Sequence, residues 1–374
     1  MHYRFAIIVG AAAIAGLGAV GAASFAGPTA GQPGVAQIKP SAIRIPERAI
    51  YSQRLTKASP AIRTQITQLR SVAVQNNWTF NISYTEAMDR PLSQLAGLKP
   101  PTDLASTAPQ VNSFAVQALQ LDKQFLAEQN VTLAALPCAA GSATCSYQSA
   151  FGPVRNQGGC GSCWAFATMG AYEGSYRLLY GSAIDSSEQH VLSCSGAGTC
   201  GGGWWAFPWL LGTKDRTESQ MPYTAANGTC TPSPNGLYRA SAWGYVGNGS
   251  SVPSVAQLKA ALAQYGPLAV AVRVTPAFQA YGGGVFNQTD NGPLNHGVTL
   301  IGWDDSKQAW LIRNSWGAVW GDGGNMWIRY GSNRIGYAAS WVRPVRAGLV
   351  INPKFFDLIR RSRLPFRVPE PVGS

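Results

Sequence analysis

Histidine and charge are scarce in this sequence. Only 3 of its 374 residues are histidines, so an imidazole reaction centre has few candidates. Charged residues make up 12% against 46% hydrophobic, which excludes a disordered or fibrous chain. Beyond Ala26 no stretch is apolar for the roughly 20 residues that a membrane helix needs. No internal repeat is visible, and the 42 glycines follow no collagen-like period. Acidic residues are also few, 17 against 29 basic, for a formal charge of +12. Such an excess fits nucleic acid or an anionic membrane only where it is concentrated. Residues 1–136 carry 11 basic and 6 acidic side chains, residues 137–342 carry 11 and 9, and residues 343–374 carry 7 and 2. The middle is nearly balanced. No nucleic-acid partner is therefore expected, and only the tail is expected to touch anionic surfaces, weakly.

A length of 374 exceeds one ordinary domain. Arg4 followed by an uncharged, Ala- and Gly-rich run from Phe5 to Ala26 reads as a secretory signal with small residues at Ser24 and Ala26. Residues 1–26 are thus an expected signal peptide, which places the protein outside the cell or in a periplasm. The alternative is a membrane anchor formed by the uncleaved signal. Apolar Ile62, Ile66 and Leu69 predict a helix over 59–76, with Ser59 as N-cap and Pro60 behind it. Alternating Trp78, Phe80, Ile82 and Tyr84 predict a strand. Proline-rich residues 91–110 read as loop, and 111–128 as helix. From about 137 cysteine, glycine and tryptophan become dense. Residues 163–180 predict a buried helix. Residues 186–193 predict a short one, with a capping box of Ser186 and Gln189. The last third predicts strands: Leu268 to Val274 alternating, GVTLIGW at 297–303, then AWLIRNSW and NMWIRY. Helices first and strands later imply an α+β fold. The tail from 343 shows no periodic core face.

Chemistry concentrates in NQGGCGSCWAFA at 156–167. Cys163 follows a glycine-rich loop and opens a helix, where unpaired N–H groups and the helix dipole lower a thiol pKa. An imidazole nearby would complete a nucleophilic pair. His2 lies in the signal. His190 sits among Ser and Gln and reads as a solvated helix surface. His296, in LNHGVTLIGW, stands at the mouth of a buried strand. CGSC also has a redox spacing that would pair Cys160 with Cys163. A zinc site from Cys160, Cys163, Cys194 and Cys200 fits loosely. The redox reading lacks a βαβ context, and the zinc site leaves His296 and Asn314 unexplained.

These motifs resemble the papain-like cysteine proteases. CGSCW is similar to the family's nucleophile signature. His296 follows Cys163 by 133 residues, and Asn314, in NSWG, by 151. Gln157 resembles the family's oxyanion glutamine, and SSEQHVLSC followed by CGGG resembles its next motif. The resemblance covers 137–342. It implies a two-lobed papain-like fold, with a helical left lobe, an antiparallel β-barrel-like right lobe and the active site in the cleft between. It implies Cys163 as nucleophile, His296 as acid and base, Asn314 orienting the imidazole and Gln157 binding the oxyanion. Trp316, two residues on in a strand, would shield the His–Asn bond. Gly202, Gly203, Trp204, Trp205 and Gly297 would line the substrate cleft and favour an apolar side chain.

The family's pairing implies disulfides Cys160–Cys200 and Cys194–Cys230. It leaves Cys138 and Cys145 to pair locally and Cys163 free. Residues 27–136 stand where a propeptide would, as an expected inhibitor, though without the family's usual helical propeptide pattern. Residues 137–342 are the expected catalytic domain and 343–374 a basic tail. The whole implies an exported, monomeric endopeptidase acting on polypeptides, without metal or cofactor. No His-His pair of the family's carboxydipeptidases occurs. The alternative is a catalytically silent relative that binds peptides or a partner.

Overall fold

Ser59 and Pro60 open the first long helix. The Ser59 hydroxyl accepts a hydrogen bond from the Ile62 amide, and Pro60 takes a position whose N–H would have no helical partner. The structure, a computed structural model, describes residues 47–231 and 235–369. The expected signal peptide at 1–26, residues 27–46 of the expected pro-region and the last five residues of the tail lie outside the described residues.

The helices are α1 (Ala49–Thr56), α2 (Pro60–Gln75), α3 (Leu92–Leu95), α4 (Leu104–Glu128), α5 (Cys163–Tyr180), α6 (Glu188–Cys194), α7 (Phe207–Gly212), α8 (Val255–Tyr265), α9 (Pro276–Gln279) and α10 (Pro353–Arg361). The strands are β1 (Phe80–Ile82), β2 (Thr144–Ser146), β3 (Gly198–Thr199), β4 (Gly202–Gly203), β5 (Arg239–Tyr245), β6 (Leu268–Val272), β7 (Tyr281–Phe286), β8 (His296–Asp304), β9 (Ala309–Arg313), β10 (Asn325–Arg329) and β11 (Tyr337–Val345). Helices dominate the first part and strands the last, an α+β arrangement. Eight strands form a sheet in the order β1-β7-β10-β9-β8-β6-β11-β5, and β2 pairs with β8. Contrary to a wholly antiparallel lobe, β7 and β10 run parallel, pairing Val285 with Trp327. The long connection after Phe286 frees β7 from any tight hairpin that would oppose it to its neighbour.

Helix α5 is the spine. Thirteen of its eighteen residues are buried, and it crosses β8, β6 and β11. Close approach requires Gly170, because a Cβ there would strike the Thr299 hydroxyl on β8. This contact carries Cys163, the first residue of α5, to the start of β8. Strand β6 is buried along its whole length rather than on alternate residues, because α5 and α8 both pack on it.

Residues 47–99 join the same body. Strand β1 extends the sheet on β7, and the Phe80 ring lies 4.5 Å from that of Phe286. Tyr51 is fully buried and its hydroxyl donates to the Gly321 carbonyl at 3.1 Å.

Several expectations need correction. Helix α4 starts two turns before residue 111, inside the expected loop, and contains Pro109. Burial of Leu104 and Ala108 outweighs the one hydrogen bond that the proline removes. The cap of α6 is Ser187, whose hydroxyl accepts from the His190 amide, not Ser186. Ser186 instead donates to Glu173. The tail is not featureless: α10 buries Phe355 and Leu358 and leaves Lys354, Arg360 and Arg361 exposed. The expected boundary at 342 falls inside β11.

His190 is not a solvated surface residue. It is 1% exposed, and its Nδ1 lies 2.7 Å from Asp215, which is fully buried. Burial pushes the Asp215 carboxyl up to about 6, against the pull of His190. Breaking a buried pair strands one polar partner without compensation. Asp215→Ala is expected to cost about 3–5 kcal/mol. Urea unfolding of that variant in a Cys163→Ser chain measures it.

Candidate active site

Seven cysteines sort into three disulfides and one thiol. Cys138 pairs with Cys145, Cys160 with Cys200 and Cys194 with Cys230, leaving Cys163 free and buried. Cys160 is therefore not a redox partner of Cys163. Among the described residues no group of three or more side chains could hold a metal ion.

Three chain segments converge on Cys163. The loop before α5 brings Gln157. The first residue of β8 is His296. The turn after β9 brings Asn314, Ser315 and Trp316. The His296 Nε2 lies 2.8 Å from the Asn314 Oδ1. That oxygen also accepts the Ser315 amide at 2.9 Å, which fixes the side-chain amide. With Nε2 donating to Asn314, the imidazole keeps Nδ1 as an acceptor, and Nδ1 has no hydrogen bond of its own. Trp316 lies beyond β9 rather than in a strand, and forms an isolated bridge with Asn156. Its ring nonetheless sits 4.8 Å from that of His296.

Gln157 is fully buried. Its Oε1 accepts from the Ser315 hydroxyl at 2.7 Å, so its Nε2 faces the other way. Nε2 donates to the Cys160 carbonyl at 2.8 Å and to the Leu95 carbonyl at 3.1 Å. Leu95 belongs to the segment that runs over the site. Tyr223 steadies the same loop, donating to the Gln157 carbonyl at 2.9 Å and meeting the Ser162 hydroxyl at 2.6 Å. Ser315, Ser162 and Tyr223 were absent from the expected site. For Ser315 a signal existed, since it adjoins Asn314 in the same motif.

The cleft residues are occupied by the chain itself. The Gly203 amide donates to the Gly97 carbonyl, the Lys99 amide to the Gly203 carbonyl and the Leu98 amide to the Asn295 carbonyl, each at 2.9 Å. Leu98 and Gly203 thereby form a parallel bridge. Gly97 lies so close that a Cβ on it would collide with the Gly161 carbonyl. Gly202 has φ +115°, and a Cβ there would press on the Gly97 carbonyl. Leu98 is buried at 4% exposure. Trp204 is half-buried and stacks on Trp205 with centroids 4.6 Å apart. Trp205 itself is core, 2% exposed, and stands directly behind Gly297. Asn295, whose carbonyl completes the backbone contacts, was not foreseen, although it immediately precedes His296.

Burial sets the protonation of the site. Burial pushes the Cys163 thiol up to about 11, while the Gly297, Gly97 and Trp164 amides pull it down less strongly. Burial drives the His296 imidazole down to about 4, against the favourable pull of Asn314 and Leu95. The covered pair is thus a neutral thiol beside a neutral imidazole. The helix dipole alone would favour thiolate, but desolvation wins here. Only thiolate alkylates, and at pH 7 its fraction under a pKa near 11 is about 10⁻⁴. Iodoacetamide labelling of the intact chain, followed by mass spectrometry, is expected to reach Cys163 slowly at pH 7 and to accelerate until pH approaches 11.

The sequence pattern of the papain family cysteine proteases matches residues 142–345, more than half of the chain. Fruit bromelain of Ananas comosus is 36% identical over 179 residues, covering 46% of this chain and 49% of that protein. The thiol protease aleurain of Arabidopsis thaliana is 37% identical over 210 residues, covering 52% and 57%. Among solved structures, the bromelain protease of Ananas comosus in complex with the E64 inhibitor is 31% identical with a TM-score of 0.49. That likeness covers 54% of this chain and 99% of the other. The chain spans about half the length of the curated relatives it matches.

Proposed function

The chain belongs to the papain family of cysteine proteases, and from that premise we propose an exported endopeptidase made as a precursor that covers its own site. The observation that carries this reading is the one unpaired cysteine, at the first residue of α5, between Gln157 and the His296–Asn314 pair. Three disulfides fit an oxidising compartment and hence export.

Once residues 95–99 leave the cleft, water reaches the pair and ionisation becomes favourable. The Cys163 thiolate then attacks the carbonyl carbon of a peptide bond. The Gln157 Nε2, released from the Leu95 carbonyl, and the Cys163 amide hold the oxyanion. His296, protonated by the thiol, gives that proton to the leaving amine. A water molecule, deprotonated by His296, then hydrolyses the thioester and restores the thiol. Asn314 keeps the imidazole aligned through both steps, as a neutral counterpart of an acidic third member. An extended substrate takes the backbone positions at Gly203 and Asn295 that residues 97–99 now hold. Burial of Leu98 supports an apolar preference beside Gly297 and Trp205.

In the trimmed enzyme, Cys163→Ala is expected to abolish hydrolysis of a fluorogenic peptide. Gln157→Ala is expected to lower kcat about 10²–10³-fold with little change in KM. Undiminished turnover by the Cys163 variant sinks the assignment.

Gly97→Ala tests the covering role. Its added Cβ meets backbone, which no side-chain rotation relieves. The untrimmed variant is expected to label at Cys163 faster at pH 7 than the parent chain, since lifting the segment relieves part of the desolvation that raises the thiol pKa. Equal labelling rates would show that residues 95–99 do not control the thiol.

A further inference from the structure

The segment ahead of residue 137 contains two parts with opposite relations to the site. Residues 95–99 lie on the substrate path and must leave. Helix α4 lies elsewhere, across β5, the edge strand at the opposite end of the sheet from β1. We propose that α4 is a permanent part of the active enzyme and that maturation hydrolyses the turn between Lys99 and Leu104. Water adds across one peptide bond there, leaving a carboxylate on the departing segment and an amine on the retained one. This proposal rests on the reading of residues 95–99 as the covering segment.

The contact between α4 and β5 is built from both sides. Asn112 stands in for a neighbouring strand: its Oδ1 accepts the Tyr245 amide at 2.7 Å, and its Nδ2 donates to the Gly247 carbonyl at 2.9 Å. Strand β5 makes room with Gly244, where a Cβ would press on Asn112 and on Trp341. Val111, Phe114, Ala115 and Ala118 are each at most 2% exposed. Asp122 lies 3.8 Å from Arg343 of β11, with both side chains nearly buried. An edge strand stripped of this cover would offer bare N–H and C=O groups to other chains.

The tail depends on α4 as well. Phe355 of α10 meets Phe114 with ring centroids 6.0 Å apart, and is 2% exposed. Farther on, Phe366 reaches Trp243 of β5. Loss of α4 would uncover β5 and α10 together. Loss of residues 47–99 uncovers the cleft and the β7 edge on which the short strand β1 lies, but leaves β5 and α10 covered.

The joint between the two parts is open to a protease after Pro101, where Thr102 and Asp103 are exposed.

The test is limited proteolysis of the full-length Cys163→Ala chain with added subtilisin, then native gel filtration and peptide mass mapping of the resistant particle. The expected particle contains residues 104–128 and the body but lacks 47–99. Loss of 104–128 together with 47–99 overturns the proposal, and so does retention of both segments. The readout is composition, so failure here is distinct from failure of the peptidase reading, which only turnover by the unmutated enzyme tests. A second measurement uses Asn112→Ala. Its trimmed particle is expected to melt about 2–4 °C lower than that of the parent chain. An unchanged Tm also overturns the proposal.

Discussion

The close contact of α5 with β8 governs the site. Cys163 and His296 begin these two elements, and nothing in the chain between them brings them together locally. Gly170 lets the helix settle against Thr299, and the burial of thirteen α5 residues holds it there. Rigid elements then deliver both reacting groups, while the flanking turns deliver Gln157 and Asn314. Ser315 links these last two, donating to the Gln157 amide oxygen while its own backbone amide bonds to Asn314. The Gln157 and Asn314 side chains are therefore positioned by one short segment.

The same burial that builds the site also raises the Cys163 thiol pKa. A thiolate–imidazolium pair needs solvent or fixed dipoles around it, and residues 95–99 remove the solvent. Dipoles from Gly297 and Trp164 remain but do not compensate. The inhibition we propose for residues 95–99 has two layers: backbone hydrogen bonds that occupy the positions at Gly203 and Asn295, and desolvation that keeps the Cys163 thiol protonated. The Leu95 carbonyl adds to the first layer by capturing the Gln157 donor.

Much of this was legible from residue types. The Ser59-Pro60 start of α2, the buried run of β8 and the length of α5 follow from capping, patterning and periodicity. The residues that the structure gathers around Cys163 were legible because their motif spacing is long and ordered. Failures came where packing overruled local preference. Pro109 did not end α4, because Leu104 and Ala108 are buried ahead of it. His190 looked exposed among polar neighbours, yet its partner Asp215 lies 25 residues away in another loop. Alternating basic and apolar residues in the tail hid α10, whose apolar face becomes meaningful only against Phe114.

By itself the sequence determined which groups stand available: a thiol at a helix start, an imidazole at a strand mouth and two side-chain amides. It determined the family as well, because side-chain identity carries that signal. Only the tertiary structure decided where residues 95–99 lie and that α4 guards the edge of the sheet. The physical reason is that these contacts run through backbone N–H and C=O groups, or through the absence of a Cβ at Gly97 and Gly244. Every residue type has such backbone groups, so no pattern of letters announces which of them will meet.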